Sequence, residues 1–209
     1  MVQVVEKPEW VSWDEIHNVL YEAHAENRAK GIIMRKPTLP GEEIKKEIGE
    51  KGVMLVAMDG KKVVGTAALL KKEGKTWYNK GNYGYLCFDS ILPAYCGRGI
   101  YKLLCEKREE IAREKGLDKL SFDTHLNNSH VIEINRAQGY LPVSIKVLPD
   151  HWNAIFFKWM NGCPFSEKLI GRKFKLSKLI TTIRYKRGNV ERSRIVSFLC
   201  RGTRIILNV

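Results

Sequence analysis

The sequence predicts an α/β (α+β) fold: a mixed, mostly antiparallel sheet flanked by helices, with a basic C-terminal extension. Three observations carry this. Short apolar runs at 53–58 and 63–70, joined at Asp59-Gly60, and a third at 83–92 read as successive paired strands. Stretches with apolar residues at helical spacing lie before and after them, which argues for helices packed on a sheet. Of the 36 Lys and Arg, 12 fall in residues 161–209 against two acids there, so this segment carries +10 of the formal +13.

The elements follow in order. Ser12-Trp13-Asp14-Glu15 is a capping box, in which the Ser12 hydroxyl and the Glu15 carboxylate satisfy backbone donors at a helix start. Ile16, Val19, Leu20 and Ala23 continue at helical spacing, and Gly31 stops the helix. His17, Tyr21, His24, Asn27 and Arg28 are its other notable side chains. A short helix at 41–50 follows Pro40, and then come the three strands. A polar connection with Trp77 and Tyr78 joins the second strand to the third and could wall an acceptor site. A helix from Ile100 to about Gly116, a strand at 119–125, a helix capped near Asn128 and ended by Gly139, and strands at 141–147 and 153–160 complete a first domain, 1–160. Residues 161–209 are expected to form a partly helical basic extension, with Gly162 and Pro164 at the boundary.

Composition narrows the class. No run approaches the roughly 18 apolar residues of a membrane span, and residues 1–10 lack the apolar core of a secretory signal, so a cytoplasmic protein is expected. Cys87, Cys96, Cys105, Cys163 and Cys200 are odd in number with no C-x-x-C pair, which points to neither a disulfide framework nor a zinc site.

The stretch from Ile91 to Leu104 is chemically the most specific. A strand ends at Pro93, and Cys96-Gly97-Arg98-Gly99 opens directly into a helix at Ile100, Tyr101 and Lys102. Glycines let backbone amides approach a ligand, and the free amides of a helix start favour an anion such as pyrophosphate. Arg98 and Lys102 add positive charge.

With Ile91-x-Pro93 before this cradle and Asn128, Asn135 and Gly139-Tyr140 after it, residues 53–160 resemble the GCN5-related N-acetyltransferase (GNAT) family. The resemblance implies acetyl-CoA as cofactor, with Gly97, Arg98, Gly99, Ile100, Tyr101 and Lys102 around the pyrophosphate. It also implies that Asn128 holds the pantetheine arm and that the Ile91 N–H binds the acetyl carbonyl. Cys96 replaces the usual basic or amide residue, and Tyr101 the final small one. Asn135 stands where the family often has a tyrosine acid, and an amide cannot donate that proton; Tyr140 or Tyr101 is a nearby substitute.

Acyl transfer to an amine by direct attack in a ternary complex also needs a base. Asp89 is the first candidate, since it shares strand parity with Ile91; a structural hydrogen bond is the alternative role. His125, beside Asp123 and Thr124, is the second, and His151 the third. Cys96, near a helix start that favours thiolate, could carry a covalent route. The acceptor is expected to be a small-molecule primary amine, an amino sugar being the narrower expectation. A non-catalytic acyl-CoA-binding or regulatory module is the alternative class.

In the extension, Leu176, Leu179, Ile180 and Ile183 line one helical face among cations. Such a helix could contact the inner face of a membrane or an acidic partner, or dock on the core. Nucleic acid is disfavoured, because Tyr185 is the one aromatic in the Arg184, Lys186, Arg187 cluster. A homodimer is compatible with the sequence.

Overall fold

A computed structural model describes residues 1–31, 36–147, 152–186, 196–200 and 203–207, with side chains through Lys178. The chain opens with strand β1 (Gln3–Glu6), then helices α1 (Trp13–Ala23) and α2 (Ala25–Ala29), a 3-10 turn at Lys36–Thr38 and helix α3 (Gly41–Ile48). Strands β2 (Gly52–Asp59), β3 (Lys62–Gly74) and β4 (Gly81–Ile91) follow, then α4 (Ile100–Glu114), β5 (Lys119–His125), α5 (Ser129–Ala137), β6 (Leu141–Val147) and β7 (Trp152–Trp159). Helix α6 (Glu167–Lys186) and the hairpin β8 (Val196–Cys200) and β9 (Thr203–Leu207) close it.

β1 to β7 form one sheet in the order β1-β2-β3-β4-β5-β7-β6, and β8-β9 pair separately. The seven-stranded sheet is antiparallel except between β4 and β5. α1 and α4 both contact β3, covering the sheet centre from two sides. This explains why β2 reads as a continuous apolar run: Val53 to Met58 are all buried. The expected helix and strand order holds for the elements foreseen. Three findings add to it: β1, the β8-β9 hairpin, and a break at His24 that divides the first helix in two. β1 escaped because its four residues expose all but one side chain substantially, leaving little hydrophobic pattern.

The capping box is half realised, with Ser12 Oγ accepting from the Glu15 N–H at 3.0 Å. Trp77 and Tyr78 fold onto a second apolar cluster with Phe165, Phe157 and Trp159 around the buried Ile170 of α6. Ser177 of α6 also reaches β6, its Oγ accepting from the Ile145 N–H at 3.3 Å. Leu176 lies within the described side chains, whereas those of Leu179, Ile180 and Ile183 lie outside them, as does His151.

Candidate active site

Two irregularities of the sheet build the site. Parallel pairing of β4 with β5 spans Gly84↔Leu120 and Tyr85↔Ser121, and beyond it the two strands separate. In the β3–β4 register, Thr66 faces Ser90 and Ala68 faces Cys87, so Phe88 and Asp89 together oppose Ala67. This is a β-bulge, with Phe88 at φ 57°. The Phe88 carbonyl accepts from Thr66 Oγ1 at 2.8 Å, and the Asp89 carbonyl lies 3.1 Å from His24 Nε2 and 2.8 Å from Ser90 Oγ.

The bulge and the opening bear on Ile91. Leu92 N–H bonds the Val64 carbonyl at 2.9 Å, so Ile91, opposite Gly65, stands at a position where antiparallel strands exchange no hydrogen bonds. Its amide therefore projects away from β3, toward the side where β5 has departed. Past the strand, the 3-10 turn Pro93–Tyr95 is tied to the β2–β3 hairpin by Tyr95 Oη donating to Asp59 at 3.2 Å. Gly97 and Gly99 take φ 75° and 76°, a region that disfavours other residues. A Cβ at either would meet nothing within 4 Å, so the space over them is open. No side chain caps α4, whose first hydrogen bond is Leu103 N–H to Gly99 O. The amides of Ile100, Tyr101 and Lys102 thus face outward without intrahelical partners. Arg98 stacks its guanidinium over Tyr95, and Lys102 sits exposed near Glu106. This donor set, positively charged and sterically open, fits a pyrophosphate.

Beneath the cradle lies a buried polar core. Asp89 points to the α4 side, its Oδ1 2.5 Å from Arg108 Nη1. Arg108 is 1% exposed, and the contact is an ion pair without the angle of a directed hydrogen bond. Burial pushes the Asp89 carboxyl above the ordinary carboxylate range, while the Arg108 charge pulls the other way. Burial works to lower the Arg108 pKa, but Asp89, Cys105, Tyr101 and Tyr140 together outweigh it, so the guanidinium stays charged. Tyr101 Oη donates to Asn135 Oδ1 at 3.1 Å, and Asn135 Nδ2 donates to the Val131 carbonyl at 2.8 Å. Burial, then the Asp89 charge, raises the Tyr101 phenol well above its usual pKa.

The named residues divide between two faces. Asp89, Tyr101 and Tyr140 gather around Arg108 on the α4 side. Tyr140 is enclosed, edge-on to Phe122, and burial raises its pKa strongly. His125 shares the opposite face of β5 with Asp123, where its Nδ1 accepts from the Asn127 N–H at 3.0 Å. Asn128 is buried, its Nδ2 donating to Thr124 Oγ1 at 3.3 Å. Cys96 is exposed, and its Sγ lies 3.9 Å from the Ile91 carbonyl.

Sequence reasoning missed Arg108, and a signal existed. It stands four residues after Leu104 and eight after Ile100, on the buried stripe of α4, where a lone cation calls for a carboxylate such as Asp89. His24 was noted only as a helix residue. In the structure it holds the bulge carbonyl, and burial lowers its pKa.

Solved structures share this fold. An acetyltransferase from Streptococcus agalactiae is 19% identical over 76% of this chain and 98% of its own, with a TM-score of 0.60. A Bacillus subtilis acetyltransferase in complex with CoA is 16% identical over 76% of this chain and 99% of its own, at 0.56. An aminoglycoside 6'-N-acetyltransferase complexed with coenzyme A is 13% identical over 78% and 99%, at 0.59. Comparison with curated protein sequences returns no match. The sequence profile of the acetyltransferase (GNAT) family matches residues 13–140, well over half of the chain, and the protein belongs to that family.

Proposed function

We propose that the protein is an N-acetyltransferase that moves acetyl from acetyl-CoA to a primary amine of a small molecule by direct attack. The observation that supports this most is the continuity of three features: the open glycine cradle, the outward Ile91 amide, and the β4–β5 separation between them. Bound there, acetyl-CoA supplies an acetyl group activated as a thioester. The amides from Gly97 to Lys102 hold the phosphates, and Arg98 and Lys102 screen their charge. Asn128 lies at the start of α5 to steady the pantetheine arm. The Ile91 N–H donates to the carbonyl oxygen, where negative charge develops.

Proton traffic is assigned to the groups around Arg108. Asp89, 29% exposed at the bulge, accepts a proton from the acceptor ammonium. Tyr101 is better placed than the enclosed Tyr140 to return one to the sulfur, because its hydroxyl reaches across to Asn135, the position of the tyrosine in related sequences. An amino sugar fits this reading as one acceptor among primary amines. Residues 161–209, with a formal charge of +10, would suit an anionic membrane or acidic partner. Among the described residues no helix is long and apolar enough to cross a membrane, so such an association would be peripheral. Loss of liposome flotation on removing 161–209 would support it, and no flotation of the intact chain would refute it.

Calorimetry with acetyl-CoA and thiol release with a panel of amino sugars, polyamines and amino acids test the main reading. Binding together with amine-dependent thiol release is expected. Binding without release from any amine would favour a non-catalytic acyl-CoA-binding module, and no binding would refute both.

A further inference from the structure

On the sheet face opposite α4, side chains from four strands converge. Asp123 of β5 is 10% exposed. Its Oδ1 accepts from Tyr85 Oη of β4 at 2.5 Å, and its Oδ2 accepts from Asn153 Nδ2 of β7 at 2.6 Å. Lys146 of β6, directly across from Asn153 in the ladder, brings its ammonium to 3.6 Å from the same Oδ2. Lys146 is 47% exposed, so this position opens to solvent. Tyr85 carries Lys36 over its ring at 5.2 Å, and α6 abuts β6 through Ser177. The convergence thus has cover on both sides and an opening between.

Its chemistry is unbalanced in one respect. Because Asn153 must turn its NH2 to a carboxylate, its Oδ1 is fixed as an acceptor. That oxygen is buried and has no donor among the described residues. A buried acceptor left without a donor costs roughly 1–3 kcal/mol, so a ligand group that donates to it gains binding there. Beside it lies a carboxylate oxygen whose nearest cation is a tethered primary ammonium. A ligand that gives Asn153 Oδ1 a donor and takes the place of Lys146 as the counter-charge to Asp123 is a primary ammonium, and an anion is excluded.

We infer that Asp123 and Asn153 form a subsite for a second ammonium of the acceptor, distinct from the amine that Asp89 deprotonates, and that Lys146 occupies it in the free protein as a tethered surrogate that the acceptor displaces. Tyr85 holds Asp123 in place; burial first, then the Asp123 charge, raises the Tyr85 pKa, so it remains a donor. The inference rests on the acetyltransferase reading for the purpose of the site, but its binding chemistry can be tested separately.

Lys146→Ala removes the surrogate, and methylammonium chloride can then be titrated against sodium chloride at equal ionic strength while the thermal midpoint is followed. A saturable rise with methylammonium alone is expected in K146A, much less in the wild type, and none in D123N/K146A. Identical responses to the two salts in K146A would overturn the inference. With the most active polyamine of the panel, D123N should raise the amine KM by about tenfold, the value of one charge-assisted hydrogen bond, and leave the acetyl-CoA KM unchanged. K146A should lower the amine KM. An unchanged amine KM in D123N would also overturn the inference. Failure of the acetyltransferase reading would appear differently, as no thiol release from the wild type, and the methylammonium titration would still decide the subsite.

Discussion

Replacing Gly99 or Gly97 by alanine separates strain in the fold from obstruction of the ligand. Both glycines have φ near 75°, where an L-residue costs about 1–2 kcal/mol. Neither Cβ would touch a protein atom within 4 Å, so no packing penalty is added. For a chain of this size the strain corresponds to a fall in thermal midpoint of roughly 2–8 °C. Gly116, just beyond the other end of α4, is a matched control: φ is 64°, and its Cβ would also stand in open space. Gly116→Ala should therefore cost the same stability. The three variants should differ in acetyl-CoA affinity, because at 97 and 99 the new methyl enters the space proposed for the phosphates. A loss of about tenfold to a hundredfold, or 1.4–2.8 kcal/mol, is expected at those two positions and none at 116. Calorimetric titration beside thermal melts reads both quantities. If G97A and G99A bind acetyl-CoA within about twofold of G116A, the cradle is a tight turn and not the phosphate site.

Three further outcomes follow from the buried groups. Asp89→Asn leaves the Arg108 charge uncompensated and should destabilise the fold by about 3 kcal/mol in denaturant unfolding, with R108M/D89N recovering part of the loss; an unchanged midpoint would mean that the pair does not hold the bulge. His24 has a pKa lowered by burial from 6.5, so the unfolded chain takes up its proton first. Stability should be full above pH 6.5 and fall as the pH drops below it toward the folded value, and His24→Gln should flatten that slope. Thiol labelling with peptide mapping should modify exposed Cys96 quickly and spare the buried Cys105 and Cys87, the Cys87 thiol being pushed up to about 12 by burial. Saturating acetyl-CoA should protect Cys96, and equal labelling with and without it would place the ligand elsewhere.

The cradle was legible in the sequence because it depends on local residues: Pro93, two glycines and a helix start are neighbours in the chain. The same holds for the hairpin at Asp59-Gly60 and the stop at Gly139. The Asp123 convergence was not legible, since Tyr85, Asp123, Lys146 and Asn153 come from four strands whose order depends on pairing. β7 inserts between β5 and β6, and only that insertion puts Asn153 beside both Asp123 and Lys146. Tyr101 and Asn135 are a similar case, 34 positions apart in chain and joined by one hydrogen bond. Each looks like a departure from the family pattern when read alone, and the structure joins the two.

The bulge at Phe88 decides which carboxylate serves which side of the sheet. In an unbroken strand Asp89 would share a face with Tyr85 and Cys87, and so with Asp123 across the opening. Two like charges would then crowd one cleft, and Arg108 would be left in the core without a counter-charge. The extra residue at Phe88 turns Asp89 over to Arg108, and His24 and Thr66 secure the turned carbonyls. One face thus keeps Asp123 with Tyr85, Asn153 and Lys146. The other keeps Asp89, paired with Arg108, next to Tyr101 and the glycine cradle. A single inserted position thereby separates the Asp123 cluster from the Asp89–Arg108 pair, on the two faces of the sheet where β4 and β5 part.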